Sequence, residues 1–160
     1  MILLNTSIWK VDADAIGITT NLNINKVGNL VMGAGVALQA RNFYPCLSRE
    51  FGTAIKEDPN TLLHWYEVED NQRPRFLFSF PTKQNFWDNS TTDLIKRSVA
   101  ELDAVARPIW ENPTKYRFMI FTIPIPGVGN GGLRKRTVMP LLQGLPDNVI
   151  VCNINGIDQD

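Results

Sequence analysis

The sequence is poor in the residues that metal sites and acid–base catalysis most often use. Its 160 residues contain one histidine, His64, and two cysteines, Cys46 and Cys152. No Cys-x-x-Cys or His-Glu-x-x-His spacing occurs, which excludes the common zinc motifs. A Ser-His-Asp site would need His64, and no Gly-x-Ser-x-Gly sequence accompanies it. We therefore predict that the protein needs no metal and no cofactor, that both cysteines are reduced core thiols and that His64 is structural.

An excess of charge of either sign and long apolar runs are also absent. Lys and Arg together number 16, as do Asp and Glu, so the formal net charge is zero. This balance excludes the broad basic surface typical of nucleic-acid-binding proteins, although Arg134-Lys135-Arg136 forms a small basic run. No apolar run reaches membrane-spanning length, and no signal-peptide pattern precedes the first strand. We expect a cytoplasmic monomer without membrane contact, with one domain over residues 1–160.

Two glycine-rich loops are the most informative feature that is present. Residues 31–37 read Val-Met-Gly-Ala-Gly-Val-Ala, and residues 126–133 read Pro-Gly-Val-Gly-Asn-Gly-Gly-Leu. Each loop follows an apolar strand-like run and opens a helix-like run. Glycine lets the backbone approach a ligand closely, and a helix N-terminus adds partial positive charge. The pair therefore predicts a ligand with two linked phosphates, held from both sides.

Each loop also has other interpretations. Gly127 to Gly132 matches the Gly-x-Gly-x-x-Gly dinucleotide fingerprint, with Asp147 downstream. A Rossmann fold places this fingerprint early, whereas most of this chain precedes it, so phosphate binding is favoured over hydride transfer. A glycine-rich turn without a ligand stays open. The first loop lacks the lysine and hydroxyl residue of a Walker A loop, and its alternative is a tight turn that allows close helix packing.

Strand-like and helix-like runs alternate along the chain. Apolar patterning predicts strands over 1–4, 15–20, 62–68, 75–80, 116–123 and 149–154, and helices over 34–43, 47–56, 94–109 and 133–142. The turn at 70–74 favours a hairpin, and Ser90 with Asp93 resembles a capping box. The alternation predicts an α/β fold with a mostly parallel sheet. Ligands bind beyond the carboxyl ends of such strands, where Asn21, both glycine loops and residues 81–83 can meet.

Polar and aromatic residues at this edge are candidates for chemistry. Asn21 can offer its amide to a ribose hydroxyl, although asparagine also simply terminates strands. Lys83 follows an apolar strand and Pro81, where a lysine can act as a nucleophile or be a solvated surface charge. Phe86 and Trp87 either cover a ligand or pack on the core, and we expect at least one of them to pack.

Taken together, these segments resemble the macro domain family of ADP-ribose-binding α/β modules over nearly the whole chain. Three motifs carry the resemblance: Met-Gly-x-Gly-x-Ala-Leu-Gln from Met32, Phe-Pro-Thr-Lys from Phe80 and Gly-x-Gly-Asn-Gly-Gly-Leu from Gly127. The combination is most similar to the branch of DNA-ADP-ribosyl glycohydrolase antitoxins and related glutamate-ADP-ribose hydrolases. The resemblance implies a single three-layer domain, with a mixed, mostly parallel sheet and helices on both faces.

The resemblance also implies roles for particular residues. Lys83 and Asn21 are the implied catalytic residues: Lys83 would attack or stabilise the anomeric carbon, and Asn21 would orient the distal ribose. The family often has Gly-Asp-Ile where this chain has Thr6-Ser7-Ile8, and a second asparagine where it has Ile18. The implied ADP-ribose-binding residues are Ile16, Met32, Gly33, Ala34, Gly35, Val36, Pro126, Gly127, Val128, Gly129, Asn130, Gly131, Gly132 and Leu133.

The implied function is hydrolysis that removes ADP-ribose from a modified macromolecule. The expected partners are ADP-ribose or an ADP-ribosylated macromolecule, either DNA or protein. Two alternatives stay open: a phosphatase acting on ADP-ribose 1''-phosphate, and a non-catalytic reader that binds ADP-ribose without turnover.

Overall fold

Six strands form one sheet in the computed structural model, which describes residues 1–69 and 72–153. The strands are β1 Ile2–Leu4, β2 Ala15–Thr20, β3 Trp65–Glu67, β4 Phe76–Pro81, β5 Phe121–Pro124 and β6 Val149–Cys152. Their order across the sheet is β1-β6-β5-β2-β4-β3. Every neighbouring pair is parallel except β3 and β4, which form an antiparallel hairpin. The predicted mixed, mostly parallel sheet is confirmed.

Helices cover both faces of this sheet. They are α1 Gly35–Phe43, α2 Leu47–Glu57, α3 Thr92–Glu111 and α4 Lys135–Leu142. On one face, buried side chains of α3 and α4 pack with Ala15 of β2. On the other face, those of α1 and α2 pack with Ile16 and Ile18. Successive residues of a strand point to opposite faces, so β2 contributes to both clusters. The predicted three-layer α/β architecture is therefore confirmed.

The central strand β2 depends on a glycine that the motifs do not include. A Cβ on Gly17 would lie 2.6 Å from side-chain carbons of both Phe78 and Ile123. These side chains come from the flanking strands β4 and β5, between which β2 lies. Glycine therefore lets two large side chains close over the middle of the sheet. This packing brings the carboxyl ends of β2, β4 and β5 together at one edge.

Several element bounds differ from the predicted ones, for identifiable reasons. β3 begins only at Trp65 because the N–H groups of Leu62 and Leu63 donate to the Glu101 carboxylate instead of to a strand. β5 begins at Phe121, well inside the predicted 116–123 strand, and Phe118 is 50% exposed. The predicted turn at 70–74 and strand at 149–154 lie in part outside the described residues, at 70–71 and 154.

The predicted capping box at Ser90 is wrong. Thr91 is the N-cap of α3, and its hydroxyl oxygen accepts from the Leu94 N–H at 3.2 Å. Ser90 lies one residue before this N-cap, and its hydroxyl donates to Thr82 Oγ1 at 2.9 Å. The residue that the sequence pattern assigned to a helix cap therefore connects the start of α3 to the end of β4.

The residues that are scarce in the sequence lie in structural positions. Both cysteines are free thiols, with Cys152 buried and Cys46 half-buried. Burial raises the pKa of the Cys152 thiol. His64 is buried, and its backbone N–H donates to Ser79 Oγ. None of the helices in the described part of the chain combines the length and apolar character needed to cross a membrane.

Candidate active site

A cleft of about 600 Å³ opens at the shared edge of β2, β4 and β5. Loops that follow all three strands form its walls. This volume falls in the range of sites for nucleotide-sized ligands, roughly 300–1,000 Å³. Most of the predicted site residues line the cleft: Asn21, Gly33, Ala34, Gly35, Val36, Lys83, Gly127, Val128, Gly129, Asn130 and Gly131.

Five predicted binding residues do not line it. Ile16 and Met32 are buried in the core cluster beneath the first loop. Pro126 is buried behind the second loop, and Leu133 packs against the opposite core cluster. Gly132 is exposed at the end of the second loop. Three of the five, Ile16, Met32 and Leu133, are therefore part of the hydrophobic packing and not of the cleft wall.

The first glycine loop ends in a helix N-terminus that is open to the cleft. Helix α1 begins at Gly35, and no described side chain caps it. The Leu38 N–H donates to the Ala34 carbonyl at 3.2 Å, so the N–H groups of the residues before it have no partner within the helix. Gly35, Val36 and Ala37 all line the cleft. An anion bound there would satisfy these N–H groups and interact favourably with the helix dipole.

The second glycine loop presents a similar arrangement. It forms a short 3-10 helix over Gly129–Gly131, which again no described side chain caps. Gly127 and Gly129 have φ angles of 78° and 76°, in the left-handed region that favours glycine. The Leu133 N–H donates to the Gly127 carbonyl at 2.9 Å and holds the turn closed. The uncapped N-terminus of α1 and this glycine turn thus line one cleft.

The two loops come close to each other. A Cβ on Gly35 would lie 3.2 Å from Nδ2 of Asn130. The second loop is also fixed to the start of α3, because the Ser90 N–H donates to the Gly131 carbonyl at 2.8 Å. A Cβ on Gly131 would lie 2.4 Å from Ser90 Oγ, so glycine is needed for this approach. A diphosphate between the loops would meet N–H groups held in place before it binds.

Lys83 lies on the same cleft, in the loop that follows β4. This loop is tied to the end of β2 on both sides of the lysine. The Thr82 N–H donates to the Thr20 carbonyl at 2.9 Å, and the Leu22 N–H donates to the Gln84 carbonyl at 3.0 Å. Lys83 is half-buried, and within residues 1–69 and 72–153 no group forms a hydrogen bond or ion pair with its ammonium. Its charge is available to a ligand.

Asn21 lines the cleft, and its side chain also joins three segments. Its Nδ2 donates to the Val31 carbonyl at 3.0 Å, and its Oδ1 accepts from the Asn23 N–H at 2.8 Å. Asn23 Oδ1 in turn accepts from the Phe86 N–H at 3.0 Å. Asn21 therefore connects the first glycine loop to the loop that carries Lys83. One amide hydrogen and one acceptor position remain for a ribose hydroxyl.

We expect Asn21→Ala to lower the free energy of unfolding by about 2 kcal/mol. Both hydrogen bonds of the amide would be lost at a buried position. The Val31 carbonyl would lose its donor and the Asn23 N–H would lose its acceptor. Urea denaturation measures this loss. Asn60→Ala, at an exposed turn, is the matched control. Equal stability of the two variants would contradict the connecting role of Asn21.

Several cleft residues were not among the predicted catalytic or binding residues, although Val31, Ala37, Thr82 and Phe86 lie in segments that the sequence analysis placed at this edge. They are Thr19, Thr20, Val31, Ala37, Gln39, Thr82, Phe86, Ser90, Pro124 and Ile125. Thr20 and Thr82 lie at the carboxyl ends of β2 and β4, and that position was a usable signal. Gln39 lies four residues after Gly35 on α1, hence on the same helix face. The capping-box pattern at Ser90 gave no sign that this residue lines the cleft, because only folding brings it to Thr82.

A metal centre is not among the features of this cleft. Over the described ranges, 1–69 and 72–153, no three His, Cys, Asp or Glu side chains are grouped so that they could hold a metal ion. The groups available for charge stabilisation are backbone N–H groups and Lys83.

No family model matches the chain. Among curated proteins it is 30% identical over 130 residues to a DNA ADP-ribosyl glycohydrolase of Mycobacterium tuberculosis, covering 78% of this chain and 34% of that protein. A protein of the same description from Thermus aquaticus is 28% identical over 112 residues, covering 69% and 29%. The chain thus spans about a third of the length of the curated relatives it matches.

Two solved macrodomain structures match this chain over nearly their whole length. The macrodomain of Mycobacterium tuberculosis DarG matches with a TM-score of 0.72 and 26% identity, covering 94% of this chain and 97% of that one. The macrodomain of Thermus aquaticus DarG matches with a TM-score of 0.72 and 23% identity, covering 94% and 95%. The chain belongs to the macro domain family, in the branch of the DarG macrodomains.

Proposed function

We propose that this protein is an ADP-ribose-binding hydrolase that removes ADP-ribose from modified DNA. The observation that carries this proposal is the cleft that the uncapped N-terminus of α1, the glycine turn at Gly129–Gly131 and Lys83 line together. The curated relatives named DNA ADP-ribosyl glycohydrolase favour DNA over protein as the modified macromolecule. We further propose that it acts as a monomer in the cytoplasm, where its free thiols stay reduced.

The diphosphate of ADP-ribose would lie between the two glycine loops. N–H groups of Gly35 and Val36 would meet it from one side, and those of Gly129 and Asn130 from the other. Backbone N–H groups in such turns form concave anion sites that do not need a metal ion. The approach of Asn130 to Gly35 makes the cleft narrow at this point, where the two loops would enclose the phosphates.

The distal ribose would then lie towards the ends of β2 and β4, near Asn21 and Lys83. Lys83 would act at the anomeric carbon, as a nucleophile in its neutral form or as a cation that stabilises the developing charge. In the nucleophilic route, the neutral Lys83 amine forms a C–N bond to the anomeric carbon while the bond from that carbon to the DNA base breaks. The base leaves with the electron pair and takes up the proton that the attacking amine loses. Water then releases ADP-ribose and restores the lysine amine.

A comparison of three substrates tests this proposal. ADP-ribosylated DNA, ADP-ribosylated protein and ADP-ribose 1''-phosphate are incubated with the protein, and the released ADP-ribose or phosphate is quantified. We expect the highest kcat/KM for ADP-ribosylated DNA. Faster release from protein or from the 1''-phosphate would assign another substrate. Binding of ADP-ribose without release from any of the three would identify a reader.

A further inference from the structure

The segment between β4 and α3, which carries Lys83, does not bury its two large apolar side chains. Phe86 is 53% exposed and Trp87 is 66% exposed, and their rings contact each other edge to face. Neither side chain belongs to a core cluster of the described residues. The expectation that at least one of them packs on the core is therefore wrong. The position of this segment depends instead on hydrogen bonds.

Two buried hydroxyl groups join the ends of the segment. Ser90 Oγ donates to Thr82 Oγ1 at 2.9 Å, and each of the two side chains is only 4% exposed. Thr82 directly precedes Lys83, and Ser90 directly precedes Thr91, the N-cap of α3. The Thr91 N–H also donates to the Thr82 carbonyl at 3.0 Å. The segment is therefore a loop closed at its base, next to the lysine. We call the contact between Ser90 and Thr82 the hydroxyl link.

Ser90 also contacts the second glycine loop. Its N–H donates to the Gly131 carbonyl at 2.8 Å. A Cβ on Gly131 would lie 3.0 Å from Ser90 Cβ, and one on Gly127 would lie 3.1 Å from it. Ser90 is therefore in direct contact with the loop proposed to bind the diphosphate and, through Thr82, with the loop that carries Lys83.

The two contacts of Ser90 use different atoms. The contact with Gly131 needs only a backbone N–H, which any residue but proline supplies. The contact with Thr82 needs the hydroxyl, and both groups are buried, so its loss would leave a polar group without a partner. A serine at this position is thus explained by the hydroxyl link and not by support of the glycine loop.

The hydroxyl link connects elements that are not neighbours in the sheet. Lys83 follows β4 and the second glycine loop follows β5, while β2 lies between these two strands. A ligand held by its diphosphate has its anomeric carbon at a set distance from the phosphates. A misplacement of about 1 Å between a reacting carbon and a catalytic group can lower the rate about a hundredfold. The relative position of the two loops therefore matters for the reaction.

We propose that Ser90 is a positioning residue, whose hydroxyl acts through Thr82 to hold Lys83 in place relative to the diphosphate site. This inference rests on the proposed function and deepens it. Ser90 itself contacts neither the anomeric carbon nor the leaving group in this proposal. Its contribution is to the geometry in which Lys83 acts.

Ser90→Ala removes the hydroxyl link and keeps the N–H that donates to Gly131. We expect kcat for release of ADP-ribose to fall about thirtyfold, since Lys83 is no longer held at its reacting distance. The Kd for ADP-ribose should stay within about twofold, because the glycine loop keeps its backbone contact. Single-turnover kinetics and calorimetry measure the two quantities.

Variants at the other end of the link sharpen the test. Thr82→Val, which lacks the hydroxyl at nearly the same volume, should lower kcat as much as Ser90→Ala does. Combining the two substitutions should add less than about twofold, because both remove the same hydrogen bond. Thr82→Ser should recover most of the kcat lost in Thr82→Val. Additive effects, or no recovery by serine, would overturn the link.

Ser79→Ala is the matched control. Ser79 is a buried serine of β4 outside the cleft, and its hydroxyl donates to the Leu62 carbonyl and accepts from the His64 N–H. Its loss should lower the unfolding temperature and leave kcat unchanged. An equal fall of kcat in Ser79→Ala, or a loss of ADP-ribose affinity in Ser90→Ala as large as its loss of kcat, would overturn the positioning role.

Hydrogen exchange provides a readout that does not need turnover. Amides of residues 82–86 should exchange faster in Ser90→Ala and Thr82→Val than in the wild type and Ser79→Ala, because the loop opens more easily. If the wild type releases no ADP-ribose but this difference is found, the link stands and the hydrolase proposal fails. If the wild type is active while exchange and kcat are unchanged in Ser90→Ala, the positioning role is excluded.

Discussion

Lys83→Ala is expected to lower kcat for release of ADP-ribose from modified DNA by about a thousandfold, a typical loss for a group that acts in the transition state. The Kd for free ADP-ribose should change by less than about threefold. The reason is spatial: the phosphate-binding N–H groups come from the loops after β2 and β5, whereas Lys83 comes from the loop after β4. An interaction made with the reacting carbon appears in kcat and not in ground-state affinity. Single-turnover kinetics and calorimetry measure the two quantities.

Lys96→Ala is the matched control, since Lys96 is an exposed lysine on α3. Borohydride treatment during turnover adds a second readout, because it would trap an opened ribose on Lys83 in the nucleophilic route. Full turnover by Lys83→Ala on every substrate would exclude the lysine mechanism. It would favour a water activated near Asn21, the other polar side chain proposed at the distal ribose.

Gly33→Val is expected to weaken ADP-ribose binding at least about a hundredfold, roughly 3 kcal/mol in binding free energy. Gly33 lines the cleft, and a Cβ built on it meets no protein atom within 4 Å. Its φ lies outside the left-handed region, so a valine there fills ligand space without straining the backbone. Isothermal titration calorimetry measures the affinity, for which we expect a wild-type Kd of about 1 μM, or roughly 8 kcal/mol.

Gly144→Val is a close control for this substitution. A Cβ on Gly144 would likewise meet no protein atom within 4 Å, and its φ is ordinary, but Gly144 lies outside the cleft. Thermal unfolding of both variants should match the wild type. Unchanged ADP-ribose affinity in Gly33→Val would place the diphosphate elsewhere. Weakened binding in both valine variants would point to a general effect on the fold.

The sequence predicts the sheet and one edge of it well, because the relevant signals are local. Apolar runs mark β2 and β4, and glycine-rich segments mark the turns that follow β2 and β5. Parallel strands then bring their carboxyl ends to one edge, so the position of Lys83 beside both loops follows from topology. Eleven of the predicted residues line the cleft for this reason. The five that do not are Ile16 in β2, Met32 in the first loop, and Pro126, Gly132 and Leu133 at the ends of the second loop.

Contacts between distant segments could not be predicted in this way. The Glu101 carboxylate on α3 accepts hydrogen bonds from the N–H groups of Leu62 and Leu63, and β3 is shorter as a result. The Ile120 N–H donates to the buried Asp14 carboxylate at 2.8 Å, just before β5 begins. In each case a side chain distant in sequence satisfies a backbone group that periodicity assigns to a strand. Such pairings depend on the finished fold and leave no periodic signal.

The three loops that form the cleft follow three different strands, and this separation bears on how such proteins diversify. In the proposed function, ligand binding depends on segments that follow β2 and β5, while the chemical step depends on a short segment between β4 and α3. On the proposed mechanism, a single substitution at Lys83 would convert a hydrolase into a protein that binds the same modification without removing it. One ancestral scaffold can in this way yield erasers and readers through drift in a single surface turn.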